Sequence, residues 1–320
     1  MPLLVFVVFL FSLSNGSTQI SFFNIFEILF NNKSSTNTII IIKQIRLPRV
    51  IMSCIVGAGL SISGCVFQAI LKNPLADPFT LGISGGAAFG VAVAFICNLT
   101  SIIKFSVPLC AFIGAMFSVC IIYLLNIKKN FDSHSMILSG VITSYIFSSA
   151  TMLIFALSPT NNIQYAFLWL MGNLSTFDEK MLPFITTIVA IGIITLSLSG
   201  NIINAISLNN EKSKTLGVNT ERNIKFLFIV TSLIVASIVS ICGVIGFIGI
   251  IIPHIMRRII KTTNNVVLIP ASAFAGAIFL PFCDTLSRTL FSPLLIPIGI
   301  TTNIIGGLFF IYLLSKSRKI

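Results

Sequence analysis

Long apolar runs separated by short polar stretches recur along nearly the whole chain. Ten of these runs are candidate membrane spans, at residues 1–13, 50–71, 79–97, 105–125, 135–157, 181–200, 224–242, 247–260, 266–290 and 297–315. A helix needs about 20 apolar residues to cross a bilayer, and most of the runs approach that length. Because the runs are continuous and do not alternate with a period of two, they indicate helices and not a β-barrel. The pattern predicts an all-α polytopic membrane protein with about ten transmembrane helices.

The first run, residues 1–13, is shorter than a span and lacks the positive flank of a signal peptide. We expect either that its start is truncated or that the weakly apolar residues after it complete the helix. A cleaved signal is the less favoured alternative.

Composition excludes a soluble domain. Of the 320 residues, 56% are hydrophobic and only 9% are charged, whereas soluble domains carry roughly 25% charged residues. The net charge of +12 would suggest a nucleic-acid partner in a soluble protein, but here it favours basic loops that set the orientation in the membrane. The seven cysteines lie within or beside apolar runs and form no CxxC pair. They are therefore interpreted as small buried residues and not as a disulfide frame or a metal site.

The basic residues predict the orientation. With a cytoplasmic N-terminus, ten spans return the C-terminus to the cytoplasm, and most of the 20 Lys and Arg residues then fall on the cytoplasmic side. Arg46, Arg49 and Arg288 are conspicuous because they fall on the opposite side, which should be poor in positive charge.

A single transmembrane domain over residues 1–320 is expected. It contains a first helix with an external loop (1–49), a first helical block (50–157), a cytoplasmic loop (201–223) and a second helical block (224–315). The two blocks have similar layouts, which would suit an inverted repeat, although their residues match only weakly. No G-x-x-x-x-G-K-[ST] motif occurs, so the sequence carries no recognisable nucleotide site.

Catalytic chemistry has little support in the sequence. The two histidines, His134 and His254, are far apart, and Asp284 is the only acid inside a predicted span. Asp284 lies four residues before Arg288, so the two can pair on one helix face. An intramembrane charge is a functional candidate, but a structural ion pair explains it about as well. The scarcity of buried acids argues that any energy source for transport lies outside this chain.

The polar stretch KNPLADP, residues 72–78, interrupts the apolar pattern between two spans. Pro74 prevents the first helix from continuing, because proline disfavours a helical residue before it. Asp77 followed by Pro78 is typical of a helix N-cap with proline at the first helical position. These residues are expected to shape a turn on the cytoplasmic side.

A series of motifs resembles one family. IRLPRV (45–50) is followed by VGAGLSISGCVFQAILKNPLADPFTLGISGGAAFG (56–90), WLMGNL (169–174), KTLGV (214–218), GVIGFIGIIIPHIMR (243–257), PASAFAGAIFLPFCDTLSR (270–288) and IPIGITTNIIGGLFF (296–310). In this order they resemble the membrane subunits of ABC importers for iron-siderophore, haem and vitamin B12, the FecCD-type permeases. The resemblance covers about residues 40–315.

The resemblance implies a type II ABC importer permease in the bacterial inner membrane, a transport subunit and not an enzyme. Implied partners are a second permease copy or paralogue, two cytoplasmic ATPase subunits that hold ATP and Mg, and an extracytoplasmic substrate-binding protein. The chain itself would bind no cofactor and no metal. An iron(III)-siderophore is the default substrate, with haem or vitamin B12 as alternatives. An ion-coupled secondary transporter is the rival from another class.

The resemblance also implies site residues. The ATPase-coupling helix would comprise Glu211, Lys212, Ser213, Lys214, Thr215, Leu216, Gly217 and Val218, although a solvated connector is the alternative. Arg46, Arg49 and Arg288 would dock the binding protein. Asn73, Leu75, Ser133 and His134 would line the cytoplasmic gate, and His134 departs from the small hydroxyl residue expected there. Pro74, Asp77, Pro78 and Asp284 would have structural roles.

Overall fold

The computed structural model describes residues 2–16, 18, 20–31, 36–99, 105–158, 160–175, 179–207, 219–290, 292 and 296–316. Regular structure in these ranges is entirely helical, and a helix occupies each of the ten predicted spans. The helices are α1 (Pro2–Ser14), α2 (Phe22–Asn31), α3 (Thr36–Ile40), α4 (Leu47–Ile70), α5 (Ile83–Ile96), α6 (Ser106–Ile127), α7 (Ser133–Leu157), α8 (Thr160–Leu170), α9 (Leu182–Leu198), α10 (Gly200–Ser207), α11 (Thr220–Cys242), α12 (Ile248–Ile260), α13 (Asn265–Thr289) and α14 (Ile298–Lys316). The predicted all-α class is confirmed.

The apolar helices make this a multi-pass membrane protein. Five helical segments in the described ranges are individually long and apolar enough to cross a bilayer, and the bent pair α9 and α10 adds a sixth. Helices α1, α5 and α14 are apolar but shorter. Large apolar side chains point away from the protein interior on the outer helices, as at Leu124, Tyr145 and Met152. Such surfaces are suited to contact with lipid tails, because apolar side chains that face lipid need not be covered by polar groups.

Helix α4 forms the centre of the bundle. Together with α3 and a π-helical stretch (Ile41–Arg46), it belongs to a continuous helical segment, Asn37–Ile70, of 34 residues. It packs most extensively against α13, and it also packs against α9, α11 and α12. Every residue from Val56 to Ile70 is buried, so α4 has no lipid-facing side over this length.

Glycine allows α4 to lie directly against its neighbours. A Cβ atom at Gly57 would sit 2.2 Å from the carbonyl oxygen of Gly276 on α13, and one at Gly64 would sit 1.9 Å from that of Gly249 on α12. Both distances are far below van der Waals contact. The small-residue motifs in the sequence therefore correspond to backbone-to-backbone helix packing, as is common in membrane bundles.

The cysteines only partly follow the prediction. All seven are free, which agrees with the absence of a disulfide frame. Cys65, Cys242 and Cys283 are buried, but Cys97 and Cys120 are exposed on the single chain. A thiol on a lipid-facing position needs no burial within the protein, because the surrounding lipid is itself apolar.

The KNPLADP turn ends one span and begins the next in two stages. Helix α4 ends at Ile70, and Lys72 adopts a left-handed backbone conformation with φ 50°. Pro78–Leu81 forms a short 3-10 helix, and α5 begins at Ile83 after Gly82, which has φ 75°. The start of α5 thus lies a few residues beyond the start of the predicted span.

Candidate functional site

The conspicuous arginines lie together with one buried acid. Asp284 on α13 is fully buried and receives hydrogen bonds from Arg49 Nε at 3.0 Å and Arg49 Nη2 at 2.7 Å. Arg288 Nε lies 3.0 Å from the other carboxylate oxygen, Asp284 Oδ2. We call Arg46, Arg49, Arg288 and Asp284 the arginine cluster. The ion pair between Asp284 and Arg288 is accompanied by a second one, to α4, that the sequence did not predict.

The other hydrogen bonds of these arginines fix neighbouring segments. Arg46 Nη1 donates to the carbonyl oxygens of Leu13 at 2.7 Å and Ser14 at 3.1 Å, which belong to the last turn of α1. Arg288 Nη2 donates to Ser12 Oγ at 3.1 Å. The exposed fractions of Arg46, Arg49 and Arg288 are 4%, 8% and 7%. All three side chains are therefore turned inward in the single chain.

Three guanidinium groups lie at this end of the bundle with one carboxylate, Asp284, which pairs with Arg49 and Arg288, whereas Arg46 bonds to the carbonyl oxygens at the end of α1. Moving a charged group out of water is costly unless it is paired and its remaining donors are satisfied. Asp284, the carbonyl oxygens of α1 and the hydroxyl of Ser175, which accepts a hydrogen bond from Arg49, meet that requirement here. An incoming carboxylate would find an excess of positive charge close beneath the surface.

A polar crevice opens at the opposite end of α4. It has a volume of about 1070 Å³. Three of the predicted gate residues, Asn73, Ser133 and His134, line it together with Asn219 and Glu221 at the start of α11. The structure thus brings the KNPLADP turn, the start of α7 and the start of α11 to one opening.

The fourth predicted gate residue, Leu75, does not line this crevice, but it is 60% exposed on the same turn. Asn73 Oδ1 accepts a hydrogen bond from the Leu75 amide at 2.9 Å, so the asparagine side chain shapes the turn that presents Leu75. An exposed leucine next to a polar opening is suited to closing it by apolar contact.

Asp77 connects this turn to a second segment. Its carboxylate accepts a hydrogen bond from the Phe79 amide at 3.2 Å and caps the 3-10 helix that starts at Pro78. Burial raises the pKa of Asp77 to about 6, and hydrogen bonds from the backbone of Phe79 and Phe247 oppose that rise. Phe247 precedes α12, so one side chain joins the turn to the start of that helix. Pro74 lies in the turn itself, beyond the end of α4.

The eight predicted coupling residues, 211–218, lie outside the described residues. The helices on either side of them are described: α10 ends at Ser207 and α11 begins at Thr220. Helix α10 meets α9 at an angle of 58°, and its contact with α13 was not predicted from the sequence. The polar residues on this contact are asparagines, whose frequency in this chain gave no reason to single them out.

The described residues hold no cluster of three or more His, Cys, Asp or Glu side chains that could bind a metal ion. The two histidines also stay apart: His134 lines the polar crevice, whereas His254 contacts Phe309 on α14 edge to face. The site therefore consists of paired charges at one end of the bundle, a polar crevice at the other end, and closely packed helices between them. These features suit a protein that changes conformation and not one that catalyses a reaction.

Several known proteins resemble this chain over nearly its full length. A protein of Helicobacter pylori (strain J99) that is named "probable iron chelatin transport system permease protein" is 35% identical over 99% of this chain and 96% of that protein. The hemin transport system permease protein of Yersinia pestis is 30% identical over 99% of this chain and 94% of that protein. A solved structure of an inward-facing metal-chelate type ABC transporter covers 98% of this chain and 97% of its own, with a TM-score of 0.85 and 28% identity.

The fold and these similarities define a permease subunit of the ABC transporter class. The chain belongs to the FecCD transport family, whose model matches residues 3–316. The predicted resemblance and the predicted importer architecture are confirmed. Membership implies ATPase and permease partners and a transport subunit without catalytic activity of its own.

Proposed function

We propose that this chain forms the membrane path of an ATP-driven importer for an iron(III)-siderophore or a related chelate. The observation that carries the substrate class is the 35% identity, over 99% of the chain, to a permease named for an iron chelatin. Haem and vitamin B12 are the alternative substrates. We place the protein in the bacterial inner membrane with both termini in the cytoplasm, as a single domain working in a dimer with two ATPases.

The polar crevice supports a gate at the cytoplasmic end. Asn73, Ser133 and His134 line one opening, and Glu221 at the start of α11 lines it as well. Residues 211–218, which we assign to ATPase coupling, precede α11 in sequence, with Asn219 between them. A movement of the ATPase subunits would therefore act on a helix that already forms part of the crevice wall.

The arginine cluster supports docking of a substrate-binding protein by exchange of partners. Arg49 and Arg288 are held by Asp284 in the single chain. An acidic side chain of the binding protein would compete with Asp284 for these guanidinium groups, whose five donors each allow more than one partner. Charge pairs of this kind mainly guide and orient association.

Uptake driven by ATP is the first test. We expect cells that express this permease with its ATPase and binding protein to accumulate iron(III) supplied as ferrichrome, a hydroxamate siderophore. Inactivating the ATPase should abolish uptake, whereas dissipating the proton gradient at constant ATP should not. Radioactive iron retained by washed cells is the measurement.

Other outcomes of the uptake experiment identify the alternatives. Uptake that survives without the ATPase and collapses with the ion gradient would make the chain a secondary transporter. Accumulation of haem or cobalamin in place of ferrichrome would keep the importer and replace the substrate. No uptake of any of the three would contradict the proposal.

Docking is tested with a charge-neutral double variant. Reversing Arg49 to Glu would force two carboxylates together at Asp284, so we choose Arg49→Gln with Asp284→Asn, which keeps hydrogen-bonding groups and removes both charges. We expect binding-protein affinity to fall by about tenfold or more, the equivalent of 1.4 kcal/mol, with ATPase association unchanged. Titration of labelled binding protein onto permease in lipid nanodiscs measures the affinity.

The matched control is Lys180→Gln, which removes one exposed charge on the same predicted side. Exposed single charges contribute little, so this variant should bind nearly as the wild type does. Equal affinity in the double variant and the wild type would remove the arginine cluster from the docking site.

A further inference from the structure

Helix α10 is fastened to the beginning of α13 by three asparagines. Asn204 Nδ2 donates to Asn264 Oδ1 at 2.7 Å. Asn204 Oδ1 accepts from the backbone amide of Asn265 at 2.7 Å and from Asn265 Nδ2 at 2.8 Å. We call Asn204, Asn264 and Asn265 the asparagine clasp. One side chain on α10 thus makes three hydrogen bonds to the N-terminus of α13.

The clasp is part of how α13 begins. Asn264 is the N-cap of α13, and its Oδ1 also accepts from the Val266 amide at 3.0 Å. The Asn265 backbone amide that donates to Asn204 lies in the first turn, where an intrahelical acceptor is missing. Asn204 therefore supplies an acceptor that α13 needs, and α10 cannot move away without exposing that amide.

A second contact makes the attachment rigid. A Cβ atom at Gly200, the first residue of α10, would sit 2.8 Å from the Cα atom of Val266. The backbones of the two helices therefore touch at Gly200, and the clasp joins them again at Asn204, one turn later. Two attachment points on a helix of eight residues leave it little freedom to rotate against α13. The bend of 58° at the end of α9 separates α10 from the rest of its own span.

Helix α13 leads from this clasp to the arginine cluster. Asn265 and Asp284 are 19 residues apart on the same helix, or about 28 Å at 1.5 Å per residue. At the far end, Asp284 binds Arg49 on α4, and Arg288 binds Ser12 on α1. A displacement of the first turn of α13 that passes along the helix, across Pro270 and Pro281 inside it, would reach the helices that hold the predicted docking arginines.

We propose that Asn204 is a positioning residue that makes α10 and α13 move as one unit, and so links the ATPase side of the permease to its binding-protein side. This rests on the proposed function, in which residues 211–218 contact the ATPase, because α10 ends just before them. When the ATPase subunits close, α10 carries the first turn of α13 with it, and the displacement passes along α13 to Asp284. In the reverse direction, docking at the arginine cluster alters ATP hydrolysis.

The experiment uses the full complex of permease and ATPase in lipid nanodiscs. Phosphate release is measured with and without saturating binding protein loaded with ferrichrome, and the ratio of the two rates is the stimulation factor. For Asn204→Ala we expect normal assembly and basal rate, and a stimulation factor reduced at least about fivefold, at the lower end of usual coupling between sites. Loss of stability alone would lower assembly and both rates together, and would leave the ratio unchanged.

A double-mutant comparison shows whether the clasp acts as a unit. Asn265→Ala removes only the hydrogen bond from Asn265 Nδ2, since the backbone amide of residue 265 still donates to Asn204, so we expect a smaller reduction of the stimulation factor. The double variant should be no worse than Asn204→Ala alone, because that substitution already removes all three hydrogen bonds of Asn204. Asn204→Asp keeps the acceptor for Asn265 but loses the donor to Asn264, so an intermediate factor is expected. If the alanine variants fail to assemble, the stimulation factor of Asn204→Asp tests the proposal in their place.

Asn201→Ala is the control. Asn201 lies on α10 three residues earlier and is exposed, so its removal should leave the stimulation factor unchanged. Full stimulation in Asn204→Ala, or independent and multiplying effects of Asn204→Ala and Asn265→Ala, would overturn this inference alone. A wild-type complex that shows no response to binding protein would overturn the proposed function, and this inference with it.

Discussion

Asp284→Ala is expected to destabilise the permease by about 3–5 kcal/mol, the usual cost of removing one partner from a buried ion pair. The substitution leaves Arg49 and Arg288 at 8% and 7% exposure without their shared carboxylate. Both guanidinium groups would then be nearly shielded from water and would have no acidic partner among the described residues. The measurement is the thermal unfolding midpoint of purified permease in detergent, together with the yield of monodisperse protein.

Two further variants serve as controls for Asp284→Ala. Asp284→Asn keeps the shape and one acceptor oxygen for the arginines, so we expect a smaller loss than with alanine. Glu221→Ala breaks the more exposed ion pair to Lys225, one turn away on α11, and should cost only about 0.3–0.5 kcal/mol. Wild-type stability in Asp284→Ala would show that the arginines do not depend on this carboxylate.

Gly64→Ala is expected to have the second large effect, a loss of about 3 kcal/mol or more, at or beyond the upper end of overpacking costs. The added methyl group would lie 1.9 Å from the carbonyl oxygen of Gly249, which is backbone and cannot turn aside. Helix α12 would have to move away from α4. Unfolding in detergent and the elution profile of the purified protein report the change.

Gly307→Ala is the matched control, because a Cβ atom there meets nothing within 4 Å. Alanine in a helix is favoured over glycine by about 0.5–1 kcal/mol, so this substitution should be neutral or slightly stabilising. The same chemical change is thus expected to act with opposite signs at the two positions. Equal effects at both would mean that α4 and α12 are not in close contact.

The helices in the ten apolar runs could be predicted from the sequence because each run is recognisable from its own residues alone. The helices that escaped prediction are the short ones outside these runs, such as α2 and α8, and α10 within the predicted loop 201–223. Their formation depends on packing against distant segments, as the contact of Gly200 with Val266 illustrates for α10. The residues around Gly200 in the sequence do not indicate that Val266 will lie against it.

For the candidate site, the sequence indicated individual residues but not the partners that they bind. Arg46, Arg49 and Arg288 were singled out because positive charge is unusual on the predicted external side, and that argument needs only the order of spans. Their partners were not evident, since Arg49 and Asp284 are 235 residues apart and pairing across such a distance is set by the tertiary fold. Docking, gating and coupling by the residues assigned to them stay predictions.

The attachment of α1 has a consequence for how the protein is made. Ser12 accepts a hydrogen bond from Arg288, which follows it by 276 residues. At the usual 5–20 residues per second of synthesis, roughly 14–55 s pass between the two. Helix α1 must therefore wait in the membrane until α13 arrives, and its contacts in the finished protein form only after Arg288 has been synthesised.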